Sequence, residues 1–278
     1  MVELVHDRDR DHGEDVGLYP LLSLPQRPSV AASAISTGWS ELDEIFKFYF
    51  SQFVVITGAA GHGKSTFILN VLCNIARRDG IRSFAYVPEN EQHLVEKLRR
   101  IWGDDRSFEM FAADQFFVQT SSTNDYRLRN VLWVLERAER AITKHGCNVV
   151  LIDPWNEIER SKPKDQMLTD YIGDCLMMIK TFCRQLDAIV IMVAHPTKLD
   201  RNTGRTVSLY DIEGSANWAN KSDNVLVVER DKGNAHTSKV ISQKARELGA
   251  GKLGVAHFYV DAVTEKFTPQ QGGVYEQL

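Results

Sequence analysis

The run Gly58-Ala59-Ala60-Gly61-His62-Gly63-Lys64-Ser65-Thr66 places glycines, one lysine and two hydroxyls at the spacing G-x-x-x-x-G-K-[ST]. Residues of these types in this order bind phosphate. Glycines let the backbone pass close to phosphate oxygens, so that successive N–H groups and a helix N-terminus face negative charge. The Lys64 ammonium reaches β- and γ-phosphates, and the Ser65 hydroxyl faces Mg²⁺. The competing reading is a plain glycine-rich turn. At ordinary glycine frequencies the pattern arises by accident in roughly one chain of this length in a hundred. Nucleoside triphosphate binding is the expectation.

Three further residues stand where strand tips would carry them to that loop. Val149-Val150-Leu151-Ile152-Asp153 is four apolar residues closed by an acid. An aspartate at such a tip can hold Mg²⁺ through water beside the phosphates, and the metal neutralises charge as the terminal phosphoryl group leaves. Glu89 follows Val87-Pro88 at the end of another apolar run, where it could orient or deprotonate an attacking water. Its bland alternative is a helix-start glutamate that favours the N-terminal dipole. His195 closes a fourth run and either touches the γ-phosphate or serves structure alone. No partner ligands stand around it at zinc spacing.

These residues need a parallel sheet whose strand tips share one edge. Apolar runs at 53–57, 148–152 and 188–194 read as central strands covered on both faces. Shorter strands are expected at 83–87 and 116–119. Helical periodicity predicts helices over 64–79 (stopping at Gly80), 91–102, 127–144 and 166–186, with a short amphipathic helix in 37–46 entered through Ser40. After Ala194 comes a polar loop, then β-rich segments at 223–229, 239–244 and 255–260. The fold class is therefore α/β: a P-loop NTPase with a mostly parallel central sheet flanked by helices and an antiparallel C-terminal extension.

The 278 residues suffice for one such domain, and the formal net charge of −4 gives no global basic field that would advertise nucleic acid. A groove can still be locally positive. The four cysteines form no C-x-x-C pair and read as reduced, buried thiols. Without a membrane-spanning run or signal peptide, the expectation is a soluble cytoplasmic protein. Residues 1–35, with mixed charges and prolines at 20, 25 and 28, read as a flexible arm or linker, and residues 36–278 as the catalytic domain.

Taken together, the motifs resemble the RecA-fold motor domain of hexameric replicative DNA helicases, the DnaB-like superfamily 4, and within it the phage, plasmid and Twinkle-type branch. The resemblance rests on Thr37-Gly-Trp-Ser-Glu-Leu-Asp43, Thr57 to Thr66, Pro88-Glu89-Asn90 and Ile152-Asp-Pro-Trp-Asn-Glu-Ile158. It continues through Val193-Ala-His-Pro-Thr-Lys198, Gly214-Ser-Ala-Asn-Trp-Ala-Asn-Lys221 and Gln243-Lys-Ala-Arg246, in that order over roughly 36–265. It implies an ATP-dependent helicase: a hexameric ring moving on single-stranded DNA in replication. Mg²⁺-dependent ATP hydrolysis would occur between subunits, with a primase or loader as partner and a bacterial, phage or plasmid origin.

By that resemblance Glu89 is the catalytic glutamate and His195 the γ-phosphate sensor. Lys244 and Arg246 become the finger residues that reach a neighbour's nucleotide, although the residues alone read as a solvated strand face. Lys198, Arg201, Arg205, Ser215 and Lys221 would hold single-stranded DNA, with Asn202 as a neutral donor. The 199–208 stretch looks equally like an inert surface loop. Arg230 and Tyr259 are candidates for stacking on the base. About 35 residues precede the motor, fewer than the N-terminal domain and linker helix such helicases usually carry. A second reading is an ATP-gated single-stranded-DNA-binding or recombination-mediator ATPase that unwinds nothing.

Overall fold

Strands without a polar face must be covered on both sides, and the chain solves this with one sheet between two helical layers. From the N-terminus the strands are β1 (Phe53–Thr57), β2 (Ser83–Tyr86), β3 (Phe116–Gln119), β4 (Val149–Ile152), β5 (Ile189–Val193), β6 (Asn224–Arg230), β7 (Thr237–Ala245), β8 (Gly254–Val260) and β9 (Phe267–Pro269). The helices are α1 (Val30–Ser33), α2 (Ser40–Asp43), α3 (Lys64–Asp79), α4 (Leu94–Trp102), α5 (Asp105–Asp114), α6 (Val131–His145), α7 (Leu168–Gln185) and α8 (Ser215–Lys221). A computed structural model describes residues 20–23, 28–89, 91–103, 105–120, 128–197, 205–231 and 233–270.

Among the described residues the nine strands form one sheet in the order β3-β2-β4-β5-β1-β6-β7-β8-β9. The first six run parallel, and β7, β8 and β9 alternate antiparallel to one another. This is the α/β class expected, with the antiparallel extension at the C-terminal end. Side chains in β1, β4 and β5 alternate between two cores. Val54, Ile56, Leu151 and Ile191 pack with α3, α4 and α5 on one face. Phe53, Val55, Val150 and Met192 pack with α6 and α7 on the other, where Trp218 of α8 is also buried. Each apolar side chain taken out of water contributes about 1.5–3 kcal/mol.

α3 has the predicted bounds. It turns Phe67, Ile68, Val71, Leu72 and Ile75 inward, and Gly80 ends it in the left-handed region with its N–H on the Ala76 carbonyl. Other elements depart from expectation. The helix expected in 37–46 is a single turn, because Phe46 and Phe48 leave it to bridge Gly251 and Ile35. α5 is unannounced by the sequence reading, yet Phe108 and Phe111 at helical spacing bury it beside Trp102. β9 extends the sheet by one strand.

The arm expected over 1–35 joins the body in its last residues. Ile35 pairs with Phe48, and a side chain on Gly249 would meet Ala31 at 2.8 Å. Residues 1–19 and 24–27 of that arm lie outside the described residues. All four cysteines are buried. Among the described residues no helix is long and apolar enough to cross a membrane.

Candidate active site

Parallel strands deliver the chain ends of β1, β2, β4 and β5 to one edge, and the residues singled out by chemistry follow those ends. The loop from Gly58 to Gly63 leaves β1 and enters α3. Gly58 has φ +145°, and a Cβ there would stand 2.2 Å from the Val228 carbonyl oxygen of β6, so only glycine fits. Gly63 has φ +87° and caps α3, whose first N–H groups open onto the loop. The His62 ring nitrogen accepts the Arg230 backbone N–H at 3.2 Å and ties the loop to the end of β6. Lys64 is only 4% exposed. Its ammonium donates to the carbonyls of Gly58 at 2.9 Å and Ala59 at 3.0 Å. Burial pulls the Lys64 pKa down to about 8, against the opposing pull of Asp153 and Glu89.

Asp153, 3% exposed, accepts a hydrogen bond from the Ser65 hydroxyl. Burial pushes its carboxyl up to about 6; Ser65 and Lys64 oppose the shift and Glu89 adds to it. Glu89 is exposed beyond β2, close enough for its charge to act on both Lys64 and Asp153. His195 is half-buried beyond β5; burial and then Lys64 lower its pKa, while Glu157 raises it. Lys64, Ser65, Glu89, Asp153 and His195 therefore share one crevice, as the strand order requires.

Two residues of that crevice carried no role in the sequence reading. The Asn156 side-chain oxygen accepts the His195 backbone N–H at 3.2 Å, and Glu157 bears on the imidazole. Both sit on the 3-10 turn Trp155–Glu157 directly after Pro154, and the Asn-Glu pair behind a strand-tip acid was the available signal. The Ser65 hydroxyl and the Asp153 carboxylate are hard oxygen donors, which suits Mg²⁺ that takes its other ligands from phosphate and water. Among the described residues no group of three or more His, Cys, Asp or Glu could hold a metal ion alone.

Beside the loop lies a hollow of about 230 Å³, lined by Thr66, Arg230, His236, Asp261, Glu265 and Phe267 among others. A Cβ on Gly63 would stand 3.8 Å from Phe267 and 3.9 Å from the Arg230 guanidinium. Arg230, a base-stacking candidate, thus flanks the phosphate loop. Tyr259 stacks on His236 with ring centroids 5.9 Å apart. Phe267, from the unexpected β9, completes this wall.

A family profile described as an AAA domain matches residues 24–201, more than half of the chain. The chain belongs to the AAA domain family. The Twinkle homolog protein, chloroplastic/mitochondrial, of Arabidopsis thaliana is 29% identical over 282 residues, 94% of this chain and 37% of that protein. The DNA helicase/primase of Enterobacteria phage T3 is 21% identical over 233 residues, 74% of this chain and 40% of its own length. The AAA domain chain thus spans about two fifths of these curated relatives.

Among solved structures, a DnaB-like replicative helicase described with its primase interactions superposes with TM-score 0.71 at 17% identity, over 84% of this chain and 61% of that one. An ATPase domain superposes with TM-score 0.70 at 19% identity, over 85% and 91%. The AAA domain shares the RecA-like fold of these two structures.

The remaining candidates of the AAA domain lie away from the crevice or outside the described residues. Lys244 lies near the end of β7 and Arg246 directly follows it; β7 runs antiparallel to β6, so both sit at the amino edge of the parallel strands. The Lys244 ammonium donates to the carbonyls of Ala219 and Ser222. Arg246 Nη2 donates to those of Asn220 at 2.9 Å and Ser222 at 3.2 Å. These carbonyls close α8, where the helix end is negative. Lys244 is partly buried by these contacts, whereas Arg246 is exposed to solvent just past the strand. Arg205 forms a bidentate pair with Asp211 at 2.8 and 2.6 Å, so its charge is already engaged. Lys221 is the last residue of α8. Lys198, Arg201, Asn202 and the Ser215 side chain lie outside the described residues.

Proposed function

We propose that the chain is the ATP-hydrolysing motor of a replicative DNA helicase: a ring, hexameric by the family resemblance, that moves on single-stranded DNA and cleaves ATP between subunits. The observation that carries this reading is the separation of two sets of groups. Lys64, Glu89, Asp153 and His195 converge at the carboxyl edge of the sheet, whereas Lys244 and Arg246 stand at the amino edge. β1 alone spans five residues between those edges, about 16 Å at ~3.3 Å per residue. Arg246 is thereby out of reach of its own phosphate loop and suited to a neighbour's. An arginine supplied in trans stabilises charge on the equatorial oxygens and makes turnover depend on assembly.

In each site Lys64 and the loop amides would hold the phosphates, with Ala59, Ala60, Gly61 and His62 shaping the loop. Mg²⁺, when bound, supplies the charge that neutralises the departing phosphoryl group; Ser65 and Asp153 would hold it. Glu89 would orient the attacking water and His195 would face the γ-phosphate, its amide fixed by Asn156. The hollow beside Arg230 and Phe267 would take the base. Lys221 and the 198–205 stretch would line the DNA path, with a primase or loader as partner of the whole protein. Residues 36–278 would form the motor and 1–35 the arm. The helicase names of the relatives favour unwinding over ATP-gated binding alone.

Light scattering with an ATP analogue and Mg²⁺, beside strand separation on a forked duplex, tests the proposal. Rings that open the fork, with both activities lost in Lys64→Ala, are expected. Monomers only, or full hydrolysis by Lys64→Ala, would refute it.

A further inference from the structure

We propose that Asp223 is a positioning residue that aims Arg246 at the neighbouring nucleotide; this rests on the reading of Arg246 as a cation given in trans. Asp223 follows α8 and precedes β6, and it is 1% exposed. A carboxylate at such depth survives only with partners of opposite charge and with donors on its lone pairs. It has three. Its Oδ2 accepts the Phe53 N–H at the foot of β1 at 2.8 Å and the ammonium of Lys180 from α7. Its Oδ1 faces Arg246 Nε at 3.2 Å.

These partners divide the labour. Lys180, itself buried, balances the charge of Asp223 in the interior, and the Phe53 amide fixes the carboxylate's position on β1. Arg246 has 39% of its side chain exposed and is not needed to neutralise the interior. Its guanidinium is held on two corners, Nε by Asp223 and Nη2 by the carbonyls ending α8, while Nη1 has no hydrogen bond among the described residues. Arg246 also lines an open hollow of about 690 Å³ shared with Lys180, Asp223, Tyr49 and Glu247. A planar cation held at two corners beside open space is oriented before its target arrives.

The same β1 begins at Phe53, bound by Asp223, and ends in the phosphate loop. One strand therefore fixes a subunit's own triphosphate grip relative to the arginine it offers next door.

Complementation between two defective full-length chains tests this. Asp223→Asn keeps the shape but loses the charge that holds Nε. Because misplacement of about 1 Å at a reacting centre costs on the order of 100-fold, its ATP kcat should fall about 10- to 100-fold with KM for ATP unchanged. Mixed with Lys64→Ala chains, it should recover turnover above either chain alone, because its intact phosphate loop then receives a correctly held Arg246 from the neighbour. Arg246→Ala mixed with Lys64→Ala is the reference. Recovery in both mixtures supports the proposal. Recovery with Arg246→Ala but not Asp223→Asn overturns it and leaves the trans arginine standing. Recovery in neither removes the trans arginine and the proposal with it, and full kcat in Asp223→Asn alone also overturns it. Should melting curves show Asp223→Asn unfolded, Asp223→Glu, which displaces the carboxylate by one methylene, enters the same scheme with the same outcomes.

Discussion

Replacing Asp153 by asparagine should make the nucleotide-free domain more stable while stopping its chemistry. In the folded chain burial raises the Asp153 carboxyl from its ordinary 3.8 to about 6, net of help from Ser65 and Lys64. An acid whose folded pKa is raised holds its proton more tightly folded than unfolded. Stability is therefore full below about pH 4 and falls as the pH rises through about 6. At about 1.4 kcal/mol per pH unit, that interval is worth about 3 kcal/mol at neutral pH. Asparagine stands in for the neutral carboxyl and removes this cost, in which the Lys64 and Ser65 interactions are already counted; because its amide is an imperfect mimic of the protonated acid, a net gain of about 1–2 kcal/mol is expected. For a domain of this size that raises Tm by about 2–8 °C.

Thermal unfolding followed from about pH 4 to 7, without nucleotide or Mg²⁺, reads the effect. The wild-type Tm should lose a component across that range which Asp153→Asn lacks. ATP turnover by the variant should drop about 100-fold or more, because the charge proposed to hold Mg²⁺ would be gone. A variant that melts below wild type at neutral pH would refute the reasoning.

Four other outcomes are expected. Nucleotide binding should take up a proton near pH 9, since phosphate would restore the proton that burial weakens on Lys64 (folded pKa about 8), so affinity declines with pH from about 8; calorimetry in two buffers of different ionisation heat reads it, with no uptake in Lys64→Arg. Gly58→Ala should cost at least about 2 kcal/mol in urea unfolding, because its Cβ overlaps the Val228 carbonyl. Asn156→Ala should lower kcat about three- to tenfold through the freed His195 amide, while its exposed site keeps stability within about 0.5 kcal/mol. Trp218→Ala should cost about 3–5 kcal/mol, since the ring is fully buried, packs edge-on against Trp155 at 5.4 Å and donates to the Glu213 carbonyl at 2.8 Å.

Much of the frame was readable in the chain because its signals are local. β1, β4 and β5 are unbroken apolar runs, and α3 lies between a capping Gly63 and a terminating Gly80. The crevice was readable because a parallel sheet brings every strand tip to one edge, so Glu89, Asp153 and His195 needed only their place after a strand. What escaped depends on contacts between distant segments. α5 is short and held by Phe108 and Phe111 stacking near Trp102, while β9 is a strand only because β8 is beside it. The surroundings of Lys244 and Arg246 come from the end of α8 folding beneath β7, more than twenty residues away in sequence. Asp223 and Lys180 are charges buried together from positions 43 residues apart, and no spacing rule in either segment announces the pair.

The sulfur content of the fold has a practical consequence. Cys73, Cys147 and Cys183 are shielded and have thiol pKa values pushed up to about 12, about 11 and about 12, and Cys175 is buried and raised as well. Thiolate is the reactive form, so maleimide dyes have little to attack on the native chain. A single cysteine introduced at an exposed position such as Leu248, 91% open to solvent, can carry a fluorophore without first stripping the natural ones. Opening of the domain would in turn announce itself as four newly labelled sites.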